Sequence, residues 1–150
     1  MEIERKFLVR QLPDNLTSCP SRQICQAYLC TDPVVRVRRD SEEYYLTYKG
    51  KGFLAREEYN LPLNREAYEK LASKAEGNII SKTRYLIPLE ESGLTIELDV
   101  FDEPFAPLVL AEVEFESIDE AKAFTPPDWF GDDVTEDKHY SNSYLSEHLP

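Results

Sequence analysis

Glu2-Ile3-Glu4-Arg5-Lys6-Phe7-Leu8-Val9 is the stretch that decides the fold. Side chains of an extended chain alternate between two faces, so Glu2, Glu4 and Lys6 share one face, while Ile3, Arg5, Phe7 and Val9 share the other. The same period of two recurs along the chain. Val35 and Val37 alternate with Arg36 and Arg38, and Leu46 and Tyr48 with Thr47 and Lys49. Tyr59 and Leu61 alternate with Glu58 and Asn60, a register that also puts Arg56 on the charged face. Thr83, Tyr85 and Ile87 alternate with Lys82 and Arg84; Ile96, Leu98 and Val100 with Glu97 and Asp99; Val113 and Phe115 with Glu112, Glu114 and Glu116. With the aromatic and β-branched segment Gln23–Thr31, these segments predict about eight strands, mostly antiparallel.

The charged face needs a location. A solvated sheet face mixes Thr, Ser, Gln and Lys, whereas here nearly every strand repeats a strong charge two residues from another. The pattern therefore predicts an α+β, β-rich fold: an eight-stranded antiparallel closed barrel, its charged face lining the interior and its apolar surface outward beneath a few outer helices; about eight strands can enclose a ligand-sized space. Both signs of charge meet there. Arg and Lys grip phosphate oxygens; carboxylates cannot, but they hold Mg2+ or Mn2+, hard ions that bridge to phosphate. A polyphosphate with a divalent metal satisfies both sets.

Helix signals are few. Asn64 caps a helix predicted to run to about Glu76, with Leu63 and Tyr68 as a hydrophobic staple and Gly77 as a stop. Ser117 and Glu120 form a capping box for a short helix, Pro126-Pro127 before Asp128-Trp129-Phe130 predicts a tight turn or single helical turn, and Ser141 to Leu149 a terminal helix. No linker or repeat divides the chain, so residues 1–150 read as one domain.

Composition excludes several classes. Seventeen Lys and Arg against 29 Asp and Glu leave a net charge of -12, which opposes duplex nucleic acid and anionic lipid. The longest stretch without a charged or strongly polar side chain, Pro104 to Ala111, is far short of the ~18 apolar residues of a membrane span. Met1-Glu2-Ile3-Glu4 has neither the basic nor the apolar region of a secretory signal, so the expected address is cytoplasmic. Cys19, Cys25 and Cys30 lack metal-ligand spacing and cannot all pair, which predicts small reduced residues in buried or half-buried positions.

The motifs E-I-E-R-K-F-L-V, R-V-R-R, T-Y-K-G, R-E-E-Y, K-T-R-Y, E-L-D-V-F, A-E-V-E-F and T-E-D-K-H-Y-S-N together resemble the CYTH family, the triphosphate tunnel metalloenzymes, over almost the whole chain. The resemblance implies an eight-stranded antiparallel tunnel. It places Lys6, Arg36, Arg38, Lys49, Arg56, Lys82, Arg84 and Lys138 around a triphosphate, and matches Glu2, Glu4, Glu112 and Glu114 to metal-binding acids. Glu58, Glu97 and Asp99 match supporting tunnel acids. Arg5, Arg39 and Glu116 stand beside motif positions, where a strand bulge would exchange which residue points inward.

Within that family the short chain and its E-I-E-R-K-F-L-V start resemble the stand-alone members that hydrolyse tripolyphosphate, with Mg2+ or Mn2+ as cofactor. The alternatives are a class IV adenylyl cyclase, a thiamine or nucleoside triphosphatase, and a non-catalytic polyphosphate sensor. His139 and His148 lie in the terminal segment and are expected at the surface or in helix packing; Lys82, crowded by Arg84, is the candidate base or else only a phosphate ligand, and the resemblance places Tyr28 on a strand that can face the tunnel, to orient Lys82 or the attacking water or else only to pack. Lys138 is expected to reach the substrate from a tail that closes over it.

Overall fold

In the computed structural model, which describes residues 1–149, ten strands carry the architecture. They are β1 (Glu2–Val9), β2 (Ser21–Thr31), β3 (Val34–Asp40), β4 (Glu43–Lys49), β5 (Ala55–Arg56), β6 (Glu58–Leu63), β7 (Ile80–Leu89), β8 (Leu94–Phe101), β9 (Val109–Glu114) and β10 (Phe130–Asp133). The hydrogen-bonded order is β10-β1-β9-β8-β7-β2-β3-β4-β6, with antiparallel pairing throughout. The ladder does not close continuously as the expected eight-stranded barrel would. Off that path the short strand β5 pairs with β1, Ala55 opposite Ile3 and Arg56 opposite Glu2; past Glu57 the chain pairs with β4 as β6. Gly52 makes that approach: it has φ +126, and a Cβ there would run into the carbonyl oxygen of Ala55.

Two apolar clusters bound the sheet. On the outer face, Phe7, Ile96, Leu98, Ala111 and Val113 pack with Phe115, Phe130 and Ala121, the last from helix α2 (Ile118–Ala123), which Ser117 caps by accepting from the Glu120 amide at 3.1 Å. Arg5 lies on this face, its guanidinium bonded to Asp133 and stacked on Phe7. The inner face is charged for only part of its length. Two residues beyond the charges, Leu8, Ile80, Phe101 and Leu110 form an apolar floor with Phe105, Val134 and Leu145. Leu145 belongs to helix α3 (Asn142–Glu147), which seals that end.

Several elements depart from expectation for local reasons. Helix α1 (Arg65–Ala72) starts as predicted, Asn64 accepting from the Ala67 amide at 2.7 Å, but stops before Glu76. The Ser73 hydroxyl bonds back to the Lys70 carbonyl at 2.6 Å, a competitor for helix continuation. Gly77 (φ +83) is then the crossing point with α3: its missing Cβ makes room for the Ser146 carbonyl, which accepts from the Asn78 amide. The Pro126-Pro127 turn is present, the Phe130 amide bonding the Pro127 carbonyl, but Phe130 continues into β10. A bulge passes over Leu29, leaving Tyr28 opposite Arg36 and Cys30 opposite Val35; parity therefore changes on β2, and neither Arg39 nor Glu116 moves inward. Cys30 is exposed, against the buried or half-buried position expected, while Cys19 and Cys25 are half-buried. No helix among the described residues is long and apolar enough to cross a membrane.

Candidate active site

The strands place their charges by register. Pairing of β1 with β9 sets Glu4 opposite Glu114 and Lys6 opposite Glu112; β1 with β5 sets Glu2 opposite Arg56. Pairing of β2 with β3 sets Tyr28 opposite Arg36; β4 with β6 sets Lys49 opposite Glu58; β7 with β8 sets Arg84 opposite Asp99. These side chains, Asp99 excepted, surround a cavity of about 160 Å³. Six cations line it, Lys6, Arg36, Arg38, Lys49, Arg56 and Arg84, with six carboxylates, Glu2, Glu4, Glu58, Glu97, Glu112 and Glu114. Tyr28 lines it too. So do Asn60 and, from the start of the α3 segment, Ser141, Asn142 and Ser143. The sequence assigns none of these four a role: Asn60 stands on the charged face without a charge, Ser141 and Asn142 only end the T-E-D-K-H-Y-S-N motif, and the last three reach the cavity only through tertiary packing.

Three expected site residues stand elsewhere. Lys82 and Asp99 lie behind the wall, 0% and 1% exposed, and their charged atoms are 2.6 Å apart. Lys138 is exposed and lines an outer vestibule of about 370 Å³, which shares Glu4, Lys6 and Arg56 with the inner cavity. Tyr28 does not hold Lys82. The Lys82 ammonium is held by Asp99, donates to Asn142 Oδ1 at 3.3 Å and sits 5.2 Å from the Phe101 ring centroid.

Most cavity charges are paired. Lys49 reaches Glu2 at 2.9 Å and Glu58 at 3.2 Å; Arg56 reaches Glu2 at 3.7 Å. Lys6 is 3.5 Å from Glu112 and donates to the Tyr140 carbonyl at 3.0 Å. Arg84 forks onto Asp99 at 2.8 and 2.9 Å and reaches Glu97 at 3.1 Å. Arg36 and Arg38, in contrast, have no carboxylate within 4.0 Å among the described residues, and neither Glu4 nor Glu114 has a cation within that distance.

Electrostatics follow from this division. Burial, with Glu112 and Glu2 nearby, pushes the Glu4 carboxyl up to about 8. Burial, with Glu2 and Glu97 nearby, raises Glu114. Burial opposes ionisation of Glu112 as well, but Lys6 and Arg84 overcome it and hold that carboxyl well below its usual range. Burial, with Arg36 and Arg84 nearby, lowers Arg38 to about 9. Burial lowers Lys82 to about 8 despite Asp99.

No three acidic side chains among the described residues converge on a ready metal position; Glu2, Glu4, Glu112 and Glu114 all line the cavity, with Glu2 and Glu112 engaged by cations. Glu4 and Glu114 fit a hard divalent ion nonetheless. They are cross-strand neighbours without a cation, and Mg2+ is commonly bound by one or two carboxylates plus substrate phosphate.

The CYTH domain model matches residues 1–143. The chain is 46% identical over 153 aligned residues to an inorganic triphosphatase of Nitrosomonas europaea, covering 99% of each chain. It is 39% identical to an inorganic triphosphatase of Acetivibrio thermocellus, over 96% of this chain and 92% of the relative. A crystal structure of an inorganic triphosphatase superposes with a TM-score of 0.74 at 42% identity, over 100% of this chain and 97% of the other.

Proposed function

The chain belongs to the CYTH domain family, and from that membership and the charges of the cavity we propose that it is a metal-dependent triphosphatase that cleaves inorganic tripolyphosphate to pyrophosphate and phosphate. One observation carries the reading: the cavity holds two arginines without carboxylates and two glutamates without cations, so a ligand that satisfies both must bring negative and positive charge together. A linear polyphosphate with Mg2+ or Mn2+ does so. In this reading the β5 pairing completes the wall of a charged tunnel, closed at one end by the apolar floor.

Glu4 and Glu114 hold the divalent ion, which when bound neutralises phosphate charge and favours a water nucleophile. Arg36 and Arg38 take the phosphate oxygens, and the lining cations stabilise charge on the departing diphosphate. Lys49, Arg56 and Arg84, already neutralised by Glu2, Glu58, Glu97 and Asp99, fix the wall. Lys82 is the proton acceptor. Burial lowers its ammonium to about 8, and it stands behind Asn142, which lines the cavity and accepts from it. Lys138 meets the polyanion in the vestibule.

Phosphate release from tripolyphosphate, thiamine triphosphate and ATP, with Mg2+, Mn2+ and EDTA, tests the proposal. Tripolyphosphate is expected to be cleaved fastest and EDTA to abolish turnover. Cyclic AMP and pyrophosphate formed from ATP faster than phosphate from tripolyphosphate identifies a cyclase; tight binding without turnover under any divalent ion identifies a sensor.

A further inference from the structure

Gln26 stands on β2 directly opposite Arg38 and is 0% exposed. Its Oε1 accepts from Arg38 Nε at 2.8 Å, and this is the one side-chain hydrogen bond of that guanidinium among the described residues. Gln26 Nε2 has no partner among the described residues, so the amide is buried with only its acceptor end used. An apolar filler of the same volume would avoid that desolvation; the carbonyl end is what the site gains.

The other anchored arginine shows the contrast. Arg84 is gripped by the carboxylates of Asp99 and Glu97, which fix the fork and cancel its charge. At Arg38 a neutral acceptor does the fixing. The Nε bond holds the plane of the guanidinium, while both terminal nitrogens and the full positive charge remain for the cavity, which Arg38 lines. Gln26 itself is not part of the lining.

We infer that Gln26 is a positioning residue for substrate binding: it orients Arg38 toward the phosphate oxygens without neutralising it. This rests on the reading of Arg38 as a phosphate contact. The neutrality of the acceptor is the discriminating feature, because a brace that served only the fold would be replaced equally well by glutamate, which keeps an acceptor at the same reach and adds an ion pair.

The test is the tripolyphosphate KM and kcat of Gln26→Met, Gln26→Glu, Arg38→Ala and the double variant Gln26→Met/Arg38→Ala, with thermal unfolding of each. Loss of a hydrogen bond to a charged group corresponds to about tenfold or more, so Gln26→Met is expected to raise KM by about that factor with a smaller change in kcat. Gln26→Glu is expected to raise KM at least as much while melting no lower than wild type. In the double variant the Gln26 change should add nothing to that of Arg38. Wild-type KM in folded Gln26→Met, or in Gln26→Glu, overturns the inference; if Gln26→Met does not fold, Gln26→Glu decides alone. Arg38→Ala with unchanged KM overturns the phosphate-contact reading itself, whereas a raised KM there beside unaffected Gln26 variants removes only the role of Gln26.

Discussion

Asp99→Asn measures how much of the fold depends on compensated charge. The Asp99 carboxylate is 1% exposed and lies 2.6 Å from the Lys82 ammonium and 2.8 and 2.9 Å from two nitrogens of Arg84. Asparagine keeps the volume but removes the charge and turns an amide toward a cation. Removing one partner of a buried ion pair costs about 3–5 kcal/mol. Two features favour the lower end. Arg84 keeps Glu97 at 3.1 Å and Glu112 at 3.9 Å. Lys82 can release its proton, because burial already lowers it to about 8 and Asp99 is the strongest neighbour holding it up. Arg84 and Arg38 also press it toward release; Glu112 is the remaining nearby group that opposes it. A loss of about 3 kcal/mol at neutral pH corresponds to a melting decrease of about 6–12 °C for a chain of this size.

The pH dependence has a definite sign. Lys82 binds its proton less readily folded than unfolded, so stability rises with pH between its folded value and the ordinary lysine range. In Asp99→Asn the folded value falls further, the window extends downward, and the gap between variant and wild type widens as pH drops below about 8. Urea denaturation of both proteins at pH 6 and pH 9, roughly two units apart from the crossover on the acid side and one on the basic side, reads this directly. A loss under about 1 kcal/mol at the acidic pH, or an equal loss at both, refutes the account of Asp99 as the compensating charge.

Lys82→Arg keeps the cation but cannot deprotonate near neutrality; turnover is expected to fall by about 10²–10⁴, the usual contribution of a general base, and near-normal kcat eliminates that role. Glu4→Gln removes a carboxylate that burial, Glu112 and Glu2 disfavour, so the Mg2+ needed for half-maximal activity should rise while the melting temperature does not fall; unchanged Mg2+ dependence takes Glu4 out of the metal site. Lys138→Ala should raise the tripolyphosphate KM, and substrate with metal should protect the vestibule segment from proteolysis; no change in either leaves the segment as a structural cap.

Wall membership was legible because alternation is a local property: Glu2, Glu4, Lys6, Arg36, Arg38, Lys49 and Arg84 all line the cavity as their parity demands. Partner choice was not, since it depends on register between distant strands. Nothing near Lys49 in sequence says that its carboxylates are Glu2 and Glu58, and nothing near Arg38 says that it has none. The end of the charged region was written in Leu8, Ile80, Phe101 and Leu110, each two residues from an inward charge, but an apolar residue there reads equally as the last position of an amphipathic strand. The sequestration of Lys82 behind Asn142 required the placement of α3, which Gly77 permits by giving up a side chain.

The acidic composition and the proposed polyanionic substrate are reconciled by where the charge lies. Six lining cations face six lining carboxylates, so the cavity is formally balanced and the net charge of -12 belongs to the rest of the molecule. Screening in physiological salt acts over about 8 Å, so exposed carboxylates farther away oppose a polyanion only weakly once it has reached the mouth. Inside, the balance is uneven in space. Carboxylates cancel Lys49, Arg56 and Arg84 but not Arg36 and Arg38, and the uncancelled acids Glu4 and Glu114 are the ones a divalent ion would neutralise. The acidic exterior therefore disfavours extended polyanions that can engage only the surface, while the cavity favours a short one that enters with its metal.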